Sequence, residues 1–140
     1  MPFGLPTPGG DGVRASGEVD YRLARQAVVA DFRKGRLARH EVCDAHPELV
    51  RAARNVGEES TQQCPICDDA KLVLVTYVFG TRMPANGRCV TSPKELKRLS
   101  GGSGERAAYV VEVCPSCCWN HLHRTFPLAA VRSPRSAPSG

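Results

Sequence analysis

The sequence predicts an α+β fold in which short N-terminal helices precede a small antiparallel sheet carrying an inserted helix. Three observations carry this expectation. Apolar residues recur at helical spacing before residue 57. Two runs rich in β-branched and aromatic residues follow, 71–79 (KLVLVTYVF) and 107–113 (AAYVVEV). Between them, Ser92-Pro93-Lys94-Glu95 combines a capping serine, a proline at the first helical position and a glutamate three residues after the cap.

Residues 19–34 (VDYRLARQAVVADFRK) place Val19, Leu23, Ala27 and Ala30 near one helical face, and Gly35 can end the helix. A short second helix is expected over about residues 37–43. Pro47 suits the first position of a third helix, where its missing N–H is no loss, and Gly57 closes it. Leu49, Ala52, Ala53 and Val56 form its expected buried face, leaving Glu48, Arg51, Arg54 and Asn55 nearer solvent. The tight Asp44-Ala45-His46 turn between the second and third helices also admits a helix-turn-helix reading, with Arg51 and Arg54 as candidate contacts to a partner. Most helical hairpins bind no DNA, so the bland reading is a structural hairpin.

The inserted helix is expected to run to about Leu99 and to be followed by the connector Ser100-Gly101-Gly102-Ser103-Gly104, whose side chains anchor little. A third strand is expected over residues 121–126, where Leu122 and Phe126 alternate with Arg124. Proline and glycine crowd the two ends of the 140-residue chain. The expected organisation is therefore a disordered tail at 1–18, a helical segment at 19–57, a sheet segment at 58–128 with an insertion at 81–105, and a second disordered tail at 129–140. About 110 residues remain for the core, few enough that a metal clip would contribute materially to stability.

The chemistry concentrates on cysteine. Cys64-Pro65-Ile66-Cys67 and Cys114-Pro115-Ser116-Cys117 each place two thiols on one tight turn, beside a predicted strand. Antiparallel pairing of those strands brings the turns together, and zinc takes four thiolates tetrahedrally. The expectation is one structural Zn2+ on Cys64, Cys67, Cys114 and Cys117, a zinc-ribbon sheet. The 46 residues between the turns do not exclude it, because loop-closure entropy grows slowly with length. The competing reading is dithiol redox chemistry, but that needs one pair at the start of a long helix, whereas strands flank both turns here.

Many ribbon turns have glycine after the second cysteine, whereas this chain has Asp68 and Cys118. Cys118 is therefore either an alternative ligand to Cys117 or a reactive thiol beside the metal. Cys43 and Cys89 read as small buried apolar residues. His40, Cys43 and His46 are spaced by three but are interrupted by Pro47, and read as structural. Beyond the second turn, Trp119, Asn120, His121, His123 and Arg124 are candidate contacts to a base or phosphate. The alternative is that Trp119 packs on the ribbon and His121 hydrogen-bonds near the zinc shell.

Seven cysteines fit metal binding in a reducing cytoplasm better than disulfides. No secretory signal is expected, since an apolar stretch after a basic start is missing from the proline-broken N-terminus. The longest apolar run is too short to span a membrane. Of the net charge of +5, all lies after residue 60, where ten Lys/Arg face five Asp/Glu. A basic surface around the ribbon would attract nucleic acid or another acidic partner.

Residues 41–57 (EVCDAHPELVRAARNVG), 75–80 (VTYVFG) and 111–122 (VEVCPSCCWNHL) resemble a family of small uncharacterised actinobacterial zinc-ribbon-like proteins. The resemblance covers roughly residues 19–126. It implies an intracellular zinc-ribbon-like protein with an N-terminal helical segment, and no catalytic residues.

No Ser-His-Asp order, paired acidic motif or phosphate-binding glycine loop is present, so no enzyme is expected. The expected function is a non-catalytic adaptor that binds nucleic acid or a transcription or translation machine. The alternatives are a protein–protein module with structural zinc only, and a thiol switch using Cys117/Cys118 or Cys89.

Overall fold

A computed structural model of the chain describes residues 17–101 and 104–128. The expected tail at 129–140 lies outside the described residues, as do the tail at 1–18 apart from Gly17 and Glu18, and Gly102 and Ser103 of the connector. The chain folds as α+β, with four helices among the described residues on an antiparallel sheet.

Strand β1 (Val19–Asp20) precedes helix α1 (Arg22–Arg33), so the first helix starts three residues later than expected. Val19 and Asp20 pair instead with Thr125 and Arg124. The Asp20 carboxylate accepts from the Arg22 backbone N–H at 2.8 Å, which satisfies one of the open donors at the helix start. The buried face of α1 also differs from expectation. Leu23 is 62% exposed, whereas Val29 is buried and Val28 and Phe32 pack beside it. Arg25, Val28, Val29 and Phe32 share one face at i, i+3, i+4 and i+7, and that face meets the cysteines.

Helix α2 (Arg39–Val42) is one turn long, and Glu41 reaches back to accept from the Ala38 N–H at 2.8 Å. Helix α3 (Pro47–Val56) begins with His46, whose Nδ1 accepts from the Glu48 N–H at 3.0 Å. Val50 and Ala53 are its fully buried residues, with Leu49 and Ala52 packed partly beside them, while Val56 is exposed. Gly57 follows because a Cβ there would collide with the Val73 side chain.

The sheet comprises β2 (Glu58–Gln63), β3 (Lys71–Gly80), β4 (Arg88–Val90), β5 (Arg106–Val113) and β6 (Asn120–Pro127), with β1 at one edge. Its order is β1-β6-β5-β3-β2, and β4 pairs with the second half of β3. Central strands β3 and β5 pair antiparallel from Val73 with Val113 to Gly80 with Arg106. Strand β2 is polar and irregularly paired, a composition suited to an edge that must resist pairing with other chains.

Helix α4 (Pro93–Ser100) follows β4; the Ser92 side chain accepts from the Glu95 N–H at 3.2 Å. Burial falls into three clusters. Helix α3 covers Val73, Val75, Val111, Val113 and Leu122 on one face of the sheet. Helices α1 and α2 pack over Cys64, Leu72, Cys114 and Trp119 at one end. Helix α4 packs with Val78, Val90, Ala108 and Leu128 at the other.

Candidate metal centre

The register of β3 and β5 decides the site. Pairing Val73 with Val113 sets the turn leading into β3 beside the turn leaving β5. The two turns share one construction. In the first, the Cys64 N–H bonds the Ala70 carbonyl at 2.9 Å and the Asp68 N–H bonds the Cys64 carbonyl at 3.0 Å. In the second, the Cys114 N–H bonds the Trp119 carbonyl at 2.8 Å and the Cys118 N–H bonds the Cys114 carbonyl at 3.0 Å. Asp68 and Cys118 take positive φ values of 53° and 74°, the left-handed conformation that glycine adopts most readily.

Four thiols result from this pairing. The Sγ atoms of Cys64, Cys67, Cys114 and Cys117 all lie within 4.8 Å of one another, close enough to hold one metal ion. Cys64 and Cys117 are separated by 3.7 Å, as are Cys67 and Cys114. Backbone N–H groups of Ile66 and Cys67 point at the Cys64 sulfur, at 3.4 and 3.5 Å, and the Cys117 N–H points at the Cys114 sulfur at 3.4 Å. Such donors stabilise a thiolate.

Burial pushes the Cys64 and Cys117 thiols up from the ordinary value. Burial acts the same way on Cys67, but hydrogen bonds from the Asp69 backbone and the neighbouring thiols outweigh it and bring the group down. A metal cation must therefore displace protons to bind, and the soft thiolate set suits zinc-like rather than calcium-like ions.

Cys118 goes elsewhere. Its side chain packs with the α3 cluster, and its carbonyl accepts from the Ala45 N–H at 3.0 Å. Cys89, on β4, also packs with that cluster, and burial raises its thiol. Cys43 is the thiol whose place sequence reasoning missed. Docking of α2 sets its Sγ 3.4 Å from the Cys117 Sγ. Only the tertiary packing reveals this contact, because Cys43 lies in no spaced cysteine motif.

The residues after the second turn are engaged within the chain. Trp119 is fully buried and offers no face to a partner. Its Nε1 donates to Glu112 at 2.8 Å, and the His121 ring stacks on it with centroids 5.9 Å apart. Asn120 bonds the Asp44 carboxylate at 3.0 Å. Arg124 lies 3.6 Å from Glu18 and over the Phe126 ring. In α3, Arg54 donates to the Pro115 carbonyl of the second turn at 2.8 Å, and Arg51 pairs with Glu48 at 3.1 Å.

Glu112 anchors this end of the molecule. It is 1% exposed and accepts from Arg25 Nε at 2.6 Å as well as from Trp119. His123 lies 3.9 Å away, and burial, only partly opposed by Glu112, lowers its pKa. A lone glutamate amid valines in a predicted strand was the available signal for such a network.

Among the described basic residues after residue 60, most gather away from the cysteine turns, whereas Arg25, Arg33 and Arg54 of the helical segment lie beside them. Exposed Arg82, Arg88, Lys94, Lys97 and Arg98 lie in the β3–β5 connection, while exposed Asp68 and Asp69 flank the first turn. Much of the charge excess read as surrounding the ribbon therefore sits, among the described residues, towards the opposite end of β3, a ten-residue strand roughly 30 Å long.

Fold and site together define an α+β protein whose antiparallel sheet carries a four-cysteine site able to hold a metal ion. The chain belongs to the family of unknown function DUF5318, matching it over residues 14–139. It is 42% identical over 122 residues to the uncharacterized protein Rv0049 of Mycobacterium tuberculosis, covering 87% of this chain and 88% of the relative. The uncharacterized protein Mb0050 of Mycobacterium bovis matches with the same identity and coverage. No solved structure matches.

Proposed function

We propose that this protein is a non-catalytic cytoplasmic adaptor. One Zn2+ on the thiolates of Cys64, Cys67, Cys114 and Cys117 ties together the two turns at one end of the sheet, and the basic far end of the sheet engages nucleic acid or a nucleic-acid-processing complex. The observation that carries the metal assignment is the sulfur geometry. Zinc–thiolate bonds of ~2.3 Å define a tetrahedron with edges of about 3.8 Å; two of the four cross-turn sulfur pairs, Cys64–Cys117 and Cys67–Cys114, are 3.7 Å apart, and all four sulfurs lie within 4.8 Å of one another. Four protein ligands leave no open coordination position, which supports a structural ion over a catalytic one.

The partner assignment rests on exposed Arg82, Lys94, Lys97 and Arg98, a charge pattern suited to phosphate contacts. Seven free thiols suit a reducing compartment, and no helix among the described residues is long and apolar enough to cross a membrane. The test has two parts. Metal analysis of the purified protein should give one zinc per chain. Mobility-shift titrations with DNA and RNA should show binding that weakens as salt rises and that a Lys94→Glu/Lys97→Glu/Arg98→Glu variant loses. No association at low salt would remove the nucleic-acid assignment.

A protein–protein module is the second reading, favoured by Leu23 of α1, which is 62% exposed. Nuclease-resistant capture of one protein, abolished by Leu23→Asp, would select it over the first.

A further inference from the structure

Five thiols, not four, meet at the cysteine-bearing end. Cys43 lies outside the four-sulfur group, yet its Sγ is 3.4 Å from that of Cys117, closer than the 3.7 Å between Cys117 and Cys64. Access among the four differs as well. Cys64 and Cys114 are 1% and 0% exposed, so a small oxidant from solvent meets Cys67 or Cys117. Of these two, Cys117 has a thiol beside it that the metal does not occupy.

From this juxtaposition we infer that Cys43 and Cys117 form a peroxide-sensitive disulfide site that releases the metal when it closes. The inference rests on the zinc assignment above and names its regulation. The reaction has two steps. A hydroperoxide oxidises the Cys117 thiolate: a sulfur–oxygen bond forms, the O–O bond breaks, and the departing oxide takes up a proton as water or alcohol, leaving a sulfenic acid. The Cys43 sulfur then attacks the Cys117 sulfur; the S–S bond forms, the S–O bond breaks, and the hydroxyl leaves with the Cys43 proton as water. Two thiols lose two electrons and one hydroperoxide gains them.

The metal is then left with three thiolates. The closed disulfide ties the end of α2 to the second turn, so the helical layer stays attached after zinc leaves. Cys118 does not compete, because it packs with the α3 cluster. Cys89 packs with that cluster too, from β4.

The experiment uses the full-length, zinc-loaded protein and stoichiometric hydrogen peroxide. Zinc release is followed with a chromogenic chelator, and disulfides are mapped by non-reducing peptide mass spectrometry. The expected result is a Cys43–Cys117 disulfide that accumulates in step with the loss of one zinc per chain, reversed by dithiothreitol and added zinc. Cys43→Ser should bind zinc normally but yield a dimedone-trappable sulfenic acid at Cys117; Cys43→Ala provides the same readout should the serine variant misfold. A zinc-loaded chain in which Cys43 stays reduced while Cys64–Cys117 or Cys67–Cys114 forms overturns the inference and leaves the zinc assignment intact. A chain that never takes up zinc fails the assignment instead, and the release step with it.

Discussion

The two ends of one sheet are built on different principles. At the cysteine end, the groups that matter come from far apart in sequence: two cysteine pairs separated by 46 residues, and Glu112 paired with Arg25 across 87 positions. At the α4 end, Glu95 accepts from Thr91 and Arg88 and is capped by Ser92, all within seven residues, over an aliphatic cluster. The cysteine end holds buried ionisable groups whose partners come from distant parts of the chain, whereas the α4 end pairs its buried carboxylate, Glu95, with sequence neighbours and otherwise holds leucine and valine that need only to be covered. The first should fail abruptly when one partner is removed, and the second in proportion to the surface lost.

The sharpest test is removal of the ion. Zinc binding contributes on the order of 10 kcal/mol in small zinc-dependent domains. Cys114→Ser, or chelation of the wild type, should therefore abolish zinc binding and expose the amides of α1, α2 and both turns to hydrogen exchange. Those of α4 and the paired second half of β3 should exchange last. Uniform loss of protection along the chain would show that the two ends are one cooperative unit.

Glu112→Gln should have the next largest effect. The amide can still accept from Trp119, but Arg25, only 19% exposed, loses its counter-charge. Breaking a buried ion pair on one side costs about 3–5 kcal/mol, and the partial exposure of Arg25 puts the expectation near the lower bound. Urea unfolding of the zinc-loaded variant measures it; a loss below about 1 kcal/mol would mean that water serves Arg25 as well as the carboxylate does.

Leu99→Ala probes the other end. Truncating a buried leucine costs about 2–5 kcal/mol, and a site at the margin of a small cluster can relax, which favours about 2 kcal/mol. Zinc content should be unchanged. If it falls, the aliphatic cluster supports the metal site across the sheet, and the comparison between the ends loses its force.

The same division explains what the sequence revealed. Helix α4 was legible because its cap and proline lie within four residues of each other, and β3 and β5 because their valines and aromatics are contiguous. The cysteine spacing was legible for a similar reason, since each pair is a local motif. The buried face of α1 was not legible: alanine periodicity suggested Leu23 and Ala27, whereas docking on the cysteine turns selected Val28, Val29 and Phe32. Strands β2 and β4 carry no pattern of their own and exist because β3 offers them an edge. The place of Cys43 beside Cys117 depends on the same long-range docking and had no local signal, whereas packing of Trp119 on the cysteine turns was one of the two readings its position allowed.

Acid separates the two ends in a smaller but distinctive way. Glu95 is held below the ordinary carboxylate value of 4.5, first by the Thr91 N–H and then by Arg88, against the opposing effect of burial. Its folded form binds its proton less readily than the unfolded chain does, so its stabilisation is fully present above that value and is lost as pH falls through the folded pKa. His123 lies below the ordinary histidine value of 6.5, chiefly through burial. Its contribution is likewise present above 6.5 and declines as pH falls, because the unfolded chain takes up the proton first. Stability contributed by the cysteine end should therefore begin to fall at a higher pH than that of the α4 end. Comparing urea midpoints from pH 7 to 3, His123→Gln should flatten the upper part of the slope and Glu95→Gln the lower. The Glu95 effect should be the smallest of all, because Arg88 is 45% exposed and its pairing is screened by water. An unchanged lower slope in Glu95→Gln would mean that the backbone N–H of Thr91 distinguishes little between carboxylate and amide.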